Sequence, residues 1–178
     1  LVPKGCHLLL GTGYAIIAAP FAKIRSASLQ RRTENDRIKH ILVSLGGTDP
    51  HNVTQFVCAS LRQLNTTPLV KILLGKQVEQ ASLAAMMADA DVAIGAGGAT
   101  SWERCCMGLP TIMIATASNQ LNNAAQLSQA GAVDYLGEHN KIDAQRLIDA
   151  VRHLIKNPLH LKKMSAAAAA ICDGYGIR

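Results

Sequence analysis

Short apolar runs alternate along this chain with segments in which apolar residues recur at helical spacing. Each run is bounded by glycine or polar residues, and the runs predict strands at 38–47, 68–75, 91–95, 109–115 and 132–137. The segments between them predict helices at 53–64, 82–90, 101–108, 119–131, 144–157 and 159–174. Pro158 separates the last two helices, and Gly108 and Gly131 are placed to end two of the others.

The amino-terminal part of the chain follows a different pattern. Residues 7–17 hold two short apolar runs around a Gly-Thr-Gly turn. The polar, charged stretch that follows, through Lys39, has no strong periodicity. We therefore expect residues 1–37 to form a tail or linker and residues 38–178 to form the binding domain.

The alternation of strands and helices predicts the α/β class. Four of the strands are apolar throughout, which is typical of a parallel sheet with helices on both faces. In such Rossmann-like sheets, ligands bind beyond the carboxyl ends of the strands. Two glycine-rich turns follow strands in this sequence, so we expect a binding site where they meet.

The first glycine-rich turn comprises Gly46, Gly47 and Thr48. Asp49 and Pro50 suit the N-cap and the first position of the next helix, but helix capping does not require two glycines and a hydroxyl. Backbone N–H groups in such a turn can surround a phosphate oxygen. The spacing fits neither the P-loop nor the dinucleotide-binding fingerprint, which disfavours ATP and NAD.

The second glycine-rich turn contains small residues and hydroxyls, namely Gly97, Gly98, Ala99, Thr100 and Ser101. Its small residues allow close approach of a ligand, and the helix that follows would direct N–H groups toward a diphosphate. Glu103 has two interpretations. The spacing favours the first, in which Thr100 and Glu103 form a capping box at the start of the helix. In the second, the Glu103 carboxylate accepts hydrogen bonds from the two hydroxyls of a ribose.

Residues for catalysis or metal binding are not evident in the sequence. A single histidine at a helix start, such as His51, is more often solvated than catalytic. The other histidines have no spacing with Asp, Glu or Cys that suggests a metal site, and no Ser-His-Asp or Cys-His arrangement can be argued. The sequence therefore predicts no catalytic residue, no metal and no cofactor.

Composition narrows the class of partner. The net charge of +6 is spread along the chain without an aromatic stacking platform, which argues against nucleic-acid binding and is compatible with an anionic small ligand. The five cysteines include no Cys-x-x-Cys, and we expect reduced thiols, a cytoplasmic location and no disulfide between the adjacent Cys105 and Cys106. No apolar segment of the sequence approaches the length of a membrane span.

Four stretches of the sequence resemble a known family. ILVSLGGTDPHN, AIGAGGATSWERCCMGLPTI, the pair Asn119-Gln120 and the ending ICDGYGIR are similar to the carboxyl-terminal half of the UDP-sugar hydrolase of pseudaminic acid biosynthesis. HLLLGTGYAII resembles the segment that joins the two halves of that enzyme. The broader pattern is shared by GT-B glycosyltransferases, including the peptidoglycan enzyme that transfers UDP-linked N-acetylglucosamine.

The resemblance implies a carboxyl-terminal GT-B domain that binds UDP in a cleft beside an amino-terminal domain. Residues near the diphosphate would be Gly46, Gly47, Thr48, Gly98, Ala99, Thr100 and Ser101. Glu103 would bind the ribose, and Asn119 and Gln120 would lie near the sugar or phosphates. The family reaction is attack of water at the anomeric carbon of a UDP-linked diacetamido-trideoxy-hexose, with release of UDP and without a metal.

Three departures from the family keep other readings open. The Gly-x-Gly-His turn that carries the family's proposed base does not occur in this sequence, which begins where the amino-terminal domain should be ending. Only residues 76–82 stand where the family has an additional helix and strand, and Ala18-Ala19-Pro20 replaces an arginine and an acid. The alternatives are the donor-binding half of a glycosyltransferase and a non-catalytic nucleotide-binding module. For each, we expect residues 1–178 alone to be inactive.

Overall fold

A computed structural model describes residues 2–9, 11–64, 69–73 and 78–176 of the chain. Within these residues, five parallel strands form one sheet in the order β2-β1-β3-β4-β5. They are β1 (His40–Ser44), β2 (Leu69–Leu73), β3 (Val92–Ala96), β4 (Thr111–Ala115) and β5 (Val133–Glu138). Each lies inside one of the five predicted runs, except that β3 and β5 each extend one residue beyond theirs, and the α/β prediction is confirmed.

Helices connect the strands and cover both faces of the sheet. They are α1 (Ala19–Glu34), α2 (Val53–Leu61), α3 (Gln80–Asp89), α4 (Thr100–Cys106), α5 (Leu121–Gln129), α6 (Ala144–Lys156) and α7 (Pro158–Ile171). Gly108 (φ 57°) and Gly131 (φ 72°) follow α4 and α5 in the left-handed conformation expected after a helix. The predicted short connection 76–82 lies partly outside the described residues.

Side chains alternate between two buried clusters, one on each face of the sheet. Ile41 and Val43 of β1 belong to a cluster that includes residues of α2 and α6. Leu42, between them, belongs to a second cluster with residues of α1, α3 and α4. Every residue of β3 and β4 is buried by one layer or the other, which explains the mostly apolar runs that the sequence shows there.

The helix α1 lies in the segment that the sequence pattern predicted to be a tail or linker. Residues 19–34 instead form a regular helix whose buried residues are Phe21, Ser28 and Arg32. Two of these three are polar, so hydrophobic periodicity does not reveal the helix. The Arg32 guanidinium donates to the carbonyls of Met87 (2.7 Å), Ala90 (2.8 Å) and Met107 (2.9 Å), which attaches α1 to the ends of α3 and α4. That residues 1–37 join this domain to an amino-terminal one stays a prediction.

All five cysteines are free thiols, and they differ in accessibility. Cys6 is exposed, Cys58 is half-buried, and Cys105, Cys106 and Cys172 are buried. Burial raises the pKa of Cys105 to about 12. We therefore expect Ellman's reagent to modify Cys6 rapidly, Cys58 more slowly and the buried thiols only after unfolding, with five thiols counted in denaturant. A count below five in denaturant without reductant would contradict the prediction of reduced cysteines.

Candidate functional site

The two glycine-rich turns meet at the carboxyl edge of the sheet. β1 pairs with β3 in a register that places Ser44 beside Gly95, so the turns that follow these strands are neighbours. The strand order reverses between β1 and β3, since β2 lies on one side of β1 while β3, β4 and β5 lie on the other. Such a reversal opens a crevice between the connections, which is where open α/β sheets bind ligands.

A cavity of about 360 Å³ occupies this crevice, a size within the usual range for small-molecule sites. Its described lining comes from the ends of β1 and β3, from the segments after β1, β3 and β4, and from α4. It comprises Ser44, Leu45, Gly46, Gly47, Thr48, Pro50, Ala96, Gly98, Ala99, Thr100, Arg104, Thr116, Ala117 and Gln120. Seven of the predicted site residues are in this set, namely Gly46, Gly47, Thr48, Gly98, Ala99, Thr100 and Gln120.

The first turn depends on glycine and on an acidic residue. Gly46 has φ 111°, a conformation that side chains with a Cβ rarely adopt, and the space around the α-carbon of Gly47 is open. The Asp49 carboxylate accepts hydrogen bonds from the backbone N–H groups of Val53 (2.9 Å) and Thr54 (2.7 Å). Burial raises the pKa of Asp49, but hydrogen bonds from the Thr54 side chain and from the backbone of Thr54 and Val53 together lower it by more, so the pKa is lowered.

The start of α2 corrects one detail of the sequence prediction. α2 begins at Val53, and the residue before it, Asn52, has φ 52°. Pro50 therefore does not occupy the first helical position. Asp49 does bind N–H groups of the first helical turn as predicted, although it reaches them from outside the N-cap position. The intervening residues bend around the cavity, to which Pro50 contributes.

The second turn is fixed by side chains of the region after β4. The Gln120 Oε1 atom accepts hydrogen bonds from the backbone N–H groups of Gly97 (3.1 Å) and Thr116 (3.0 Å). The Asn123 side chain donates to the Gly97 carbonyl at 2.7 Å. Both backbone groups of Gly97 are thus engaged, and this residue shapes the turn without lining the cavity. A Cβ at Gly97 would lie 3.0 Å from the Gln120 Cβ, which explains the glycine.

Glu103 does not form the capping box that the spacing favoured. α4 begins at Thr100 with Ala99 as its N-cap, so Thr100 is already helical and no side chain caps this helix. The Glu103 carboxylate is half-buried and accepts no hydrogen bond from the described part of the chain. Burial raises its pKa, while the nearby Arg104 has a smaller lowering effect. Glu103 lies one turn after Thr100 and does not line the cavity itself.

Arg104 is a cavity residue that the sequence analysis missed. Its side chain is buried, and Nη2 donates to the Ala96 carbonyl and to Ser101 Oγ, the latter at 3.2 Å. Nε and Nη1 have no hydrogen-bond partner among the described residues. Burial lowers the pKa of this guanidinium to about 10. The available signal was Gly95, a glycine inside a strand, because a Cβ there would lie 2.5 Å from Nη1.

Three other residues considered in the sequence analysis, Ser101, Asn119 and His51, lie outside the described cavity lining, as the sequence analysis favoured for His51. Ser101 is buried, and its hydroxyl donates to the Ala96 carbonyl at 3.3 Å and does not line the cavity. Asn119 is exposed and is not part of the cavity lining. His51 is also exposed and stacks on His139, with 4.4 Å between ring centroids. Of the predicted pair Asn119-Gln120, only Gln120 thus lines the cavity.

The described residues contain neither a cluster of metal ligands nor a helix able to span a membrane. In the described parts of the chain, no three His, Cys, Asp or Glu side chains gather as metal ligands. Of the helices described here, none combines the length and the apolar character needed to cross a bilayer. The described lining of the cavity consists of neutral residues and one buried guanidinium, that of Arg104.

The strand order, the helices on both faces and the crevice at the order reversal define a Rossmann-like domain of the GT-B type. The chain belongs to glycosyltransferase family 28, because residues 24–173 match the model of the C-terminal domain of that family.

Comparisons with individual proteins agree with this family. The chain is 26% identical over 193 residues to the spore coat polysaccharide biosynthesis protein SpsG of Bacillus subtilis, covering 94% of this chain and 55% of that protein. The crystal structure of MurG from Acinetobacter baumannii superposes with a TM-score of 0.68 at 18% identity, covering 88% of this chain and 51% of MurG. The glycotransferase of kitacinnamycin superposes with a TM-score of 0.56 at 21% identity, covering 76% and 40% of the respective chains. The chain thus spans about half the length of SpsG and MurG.

Proposed function

We propose that this domain binds the nucleoside diphosphate of a sugar donor, as the donor-binding half of a GT-B glycosyltransferase. The observation that carries the proposal is the cavity between the turns after β1 and β3, at the reversal of strand order. Membership in a glycosyltransferase family supports the transferase reading. UDP is the nucleotide that we propose, because the resemblance described above rests on UDP-binding proteins.

The lining of the cavity suits a diphosphate better than a sugar or a hydrophobic ligand. Gly46, Gly47, Gly98 and Ala99 bring backbone close to the ligand, and Thr48 and Thr100 add hydroxyl donors. Phosphate oxygens accept hydrogen bonds from both kinds of group. Gln120 would act mainly by positioning, because its amide oxygen is already bonded to the turns after β3 and β4.

Glu103 is the residue that we propose for the ribose. Its carboxylate is partly withdrawn from water and accepts no hydrogen bond within the described residues, so its acceptor capacity remains for a ligand. Two adjacent ribose hydroxyls can both donate to one carboxylate, and such charge-assisted bonds are stronger than neutral ones. The structure of α4 supports this role over capping, since Glu103 stabilises no helix end.

Hydrolysis of a UDP-sugar is the second candidate function. It is favoured by the likeness of the stretch AIGAGGATSWERCCMGLPTI to the hydrolase of pseudaminic acid biosynthesis. Hydrolase and transferase would use the same donor site and differ in whether water or an acceptor hydroxyl attacks the sugar. The described lining contains no acid–base side chain that would distinguish them. Product analysis of a turnover reaction with and without candidate acceptors separates the two.

The proposal predicts that UDP binds the chain and that Glu103→Ala weakens this binding. A hydrogen bond to a charged group contributes about 1.5–3 kcal/mol, so we expect the dissociation constant to rise by roughly 10- to 150-fold. Titration calorimetry of both proteins with UDP measures the change. Because Glu103 caps no helix, the midpoint of thermal unfolding without ligand should remain near that of the unaltered chain.

Glu34→Ala is the matched control for this experiment. Glu34 is exposed at the end of α1, where it accepts a hydrogen bond from Gln30 at 3.1 Å, and its removal should leave UDP binding unchanged. Unchanged UDP affinity in Glu103→Ala, together with a lower unfolding midpoint, would show that Glu103 has a structural role. The lack of any UDP binding by the unaltered chain would overturn the proposed function.

A further inference from the structure

The chain has two buried arginines in its described part, Arg32 and Arg104, and their surroundings differ. Each of the three nitrogens of the Arg32 guanidinium donates to a backbone carbonyl, and the buried Asp91 lies close enough to stabilise its charge. Arg104 donates from Nη2 only, and its two acceptors are neutral. Its Nε and Nη1 atoms have no partner among the described residues.

An unpartnered guanidinium is unfavourable in a protein interior. Removing a charge from water costs several kcal/mol unless an opposite charge and further hydrogen bonds replace the lost hydration. Glu103 precedes Arg104 in sequence, but its carboxylate forms no ion pair with the guanidinium in the described structure. The remaining donors of Arg104 therefore call for an anion or another acceptor.

The position of Arg104 indicates which side the anion comes from. Arg104 lines the cavity between the glycine-rich turns, and it is the one charged side chain in the described lining. Its guanidinium packs against β3, where Gly95 leaves the space that Nη1 occupies. The other lining residues contribute only neutral groups. The positive charge of the described lining thus comes from one buried side chain of α4, which is hydrogen-bonded to Ala96 and Ser101.

We propose that Arg104 is the residue that selects an anionic, diphosphate-bearing ligand, because its buried and otherwise uncompensated positive charge at the cavity neutralises phosphate charge. This inference rests on the proposed function, and it adds the residue through which the site prefers ligands that carry phosphate charge. Inside a protein, where the effective dielectric constant is below that of water, such a charge acts strongly over short distances. A neutral nucleoside would gain nothing from it.

The test compares Arg104→Gln and Arg104→Lys with the unaltered chain by titration with UDP, inorganic pyrophosphate and uridine. For Arg104→Gln, we expect the affinity for UDP and for pyrophosphate to fall about 10- to 100-fold, and the affinity for uridine to stay the same. Arg104→Lys, which keeps the charge but lacks the planar fork, should show a smaller loss for the same two ligands. Arg37→Gln removes an exposed positive charge and should change none of the three affinities.

Several outcomes would overturn the inference. One is an equal loss of affinity for all three ligands, and another is an unchanged affinity for UDP and pyrophosphate, because either would indicate a structural role for Arg104. If Arg104→Gln does not fold, Arg104→Lys decides, and an unchanged pyrophosphate affinity in that variant counts against the inference.

Equal affinity of the unaltered chain for uridine and UDP would also overturn the inference, because the site would then bind the nucleoside without help from Arg104. Binding of pyrophosphate without UDP would instead overturn the proposed function and leave Arg104 as an anion-binding residue.

Discussion

Replacing Asp91 by alanine is expected to lower the free energy of unfolding by about 3–5 kcal/mol, because it removes a buried carboxylate that forms an ion pair and accepts three further hydrogen bonds. The Asp91 side chain is completely buried and pairs with Arg31 at 2.5 Å. It also accepts hydrogen bonds from the Asn35 side chain (2.6 Å) and from the backbone N–H groups of Lys39 (2.7 Å) and His40 (2.8 Å). Alanine would leave all of these donors without their acceptor. Urea denaturation measures the change.

Asp36→Ala is the control for the Asp91 prediction. Asp36 is exposed, and its nearest cation, Arg37, is 3.8 Å away and exposed as well. Surface ion pairs of this kind contribute little, so this variant should unfold within about 0.5 kcal/mol of the unaltered chain. If Asp91→Ala lowers the free energy of unfolding no more than Asp36→Ala does, the hydrogen bonds around Asp91 do not hold the end of α1 to the start of β1.

The strands could be predicted because burial on both faces leaves a clear record in the sequence. β3 and β4 are buried along their whole length, and apart from Thr111 at the start of β4 each appears as an apolar run. α1 could not be predicted in this way, since it is attached through the side chains of Arg32 and Arg31. Arginines count as exposed residues in a hydrophobic pattern. Polar side chains that bond to helix ends are specified by tertiary structure and could not be placed from spacing.

The site was predictable to the extent that it depends on backbone conformation. Gly46 adopts a left-handed φ, a local requirement for glycine that the sequence displays. The crowding of Gly97 by Gln120 is a contact between segments 23 residues apart, so its cause is visible only in the structure. The Thr100-Glu103 capping box was wrong because α4 begins one residue too early for it. Arg104 was missed because its role depends on the packing of its side chain against Gly95 of β3. That contact joins two elements and is not visible in the sequence.

Residues 1–178 alone are expected to release no UDP from UDP-N-acetylglucosamine above the uncatalysed background. Positioned acid–base groups typically contribute about 10²- to 10⁴-fold to rate, and the described lining of the cavity offers no carboxylate, imidazole or thiol. Arg104, its one charged group, can stabilise a leaving diphosphate but cannot remove a proton from water or a hydroxyl. Glu103, on the proposed assignment, is occupied by the ribose. A coupled assay of UDP release at saturating donor tests this prediction.

His51→Ala is the informative variant for the activity experiment, because His51 is the histidine that follows the first glycine-rich turn. The His51 ring is exposed and stacked on His139, outside the cavity lining, so its removal should affect neither UDP binding nor the background rate. Turnover by the chain that disappears in His51→Ala would place the catalytic centre on this domain and contradict the prediction. Turnover that persists in His51→Ala would also contradict it and would place the catalytic group at another residue of this chain.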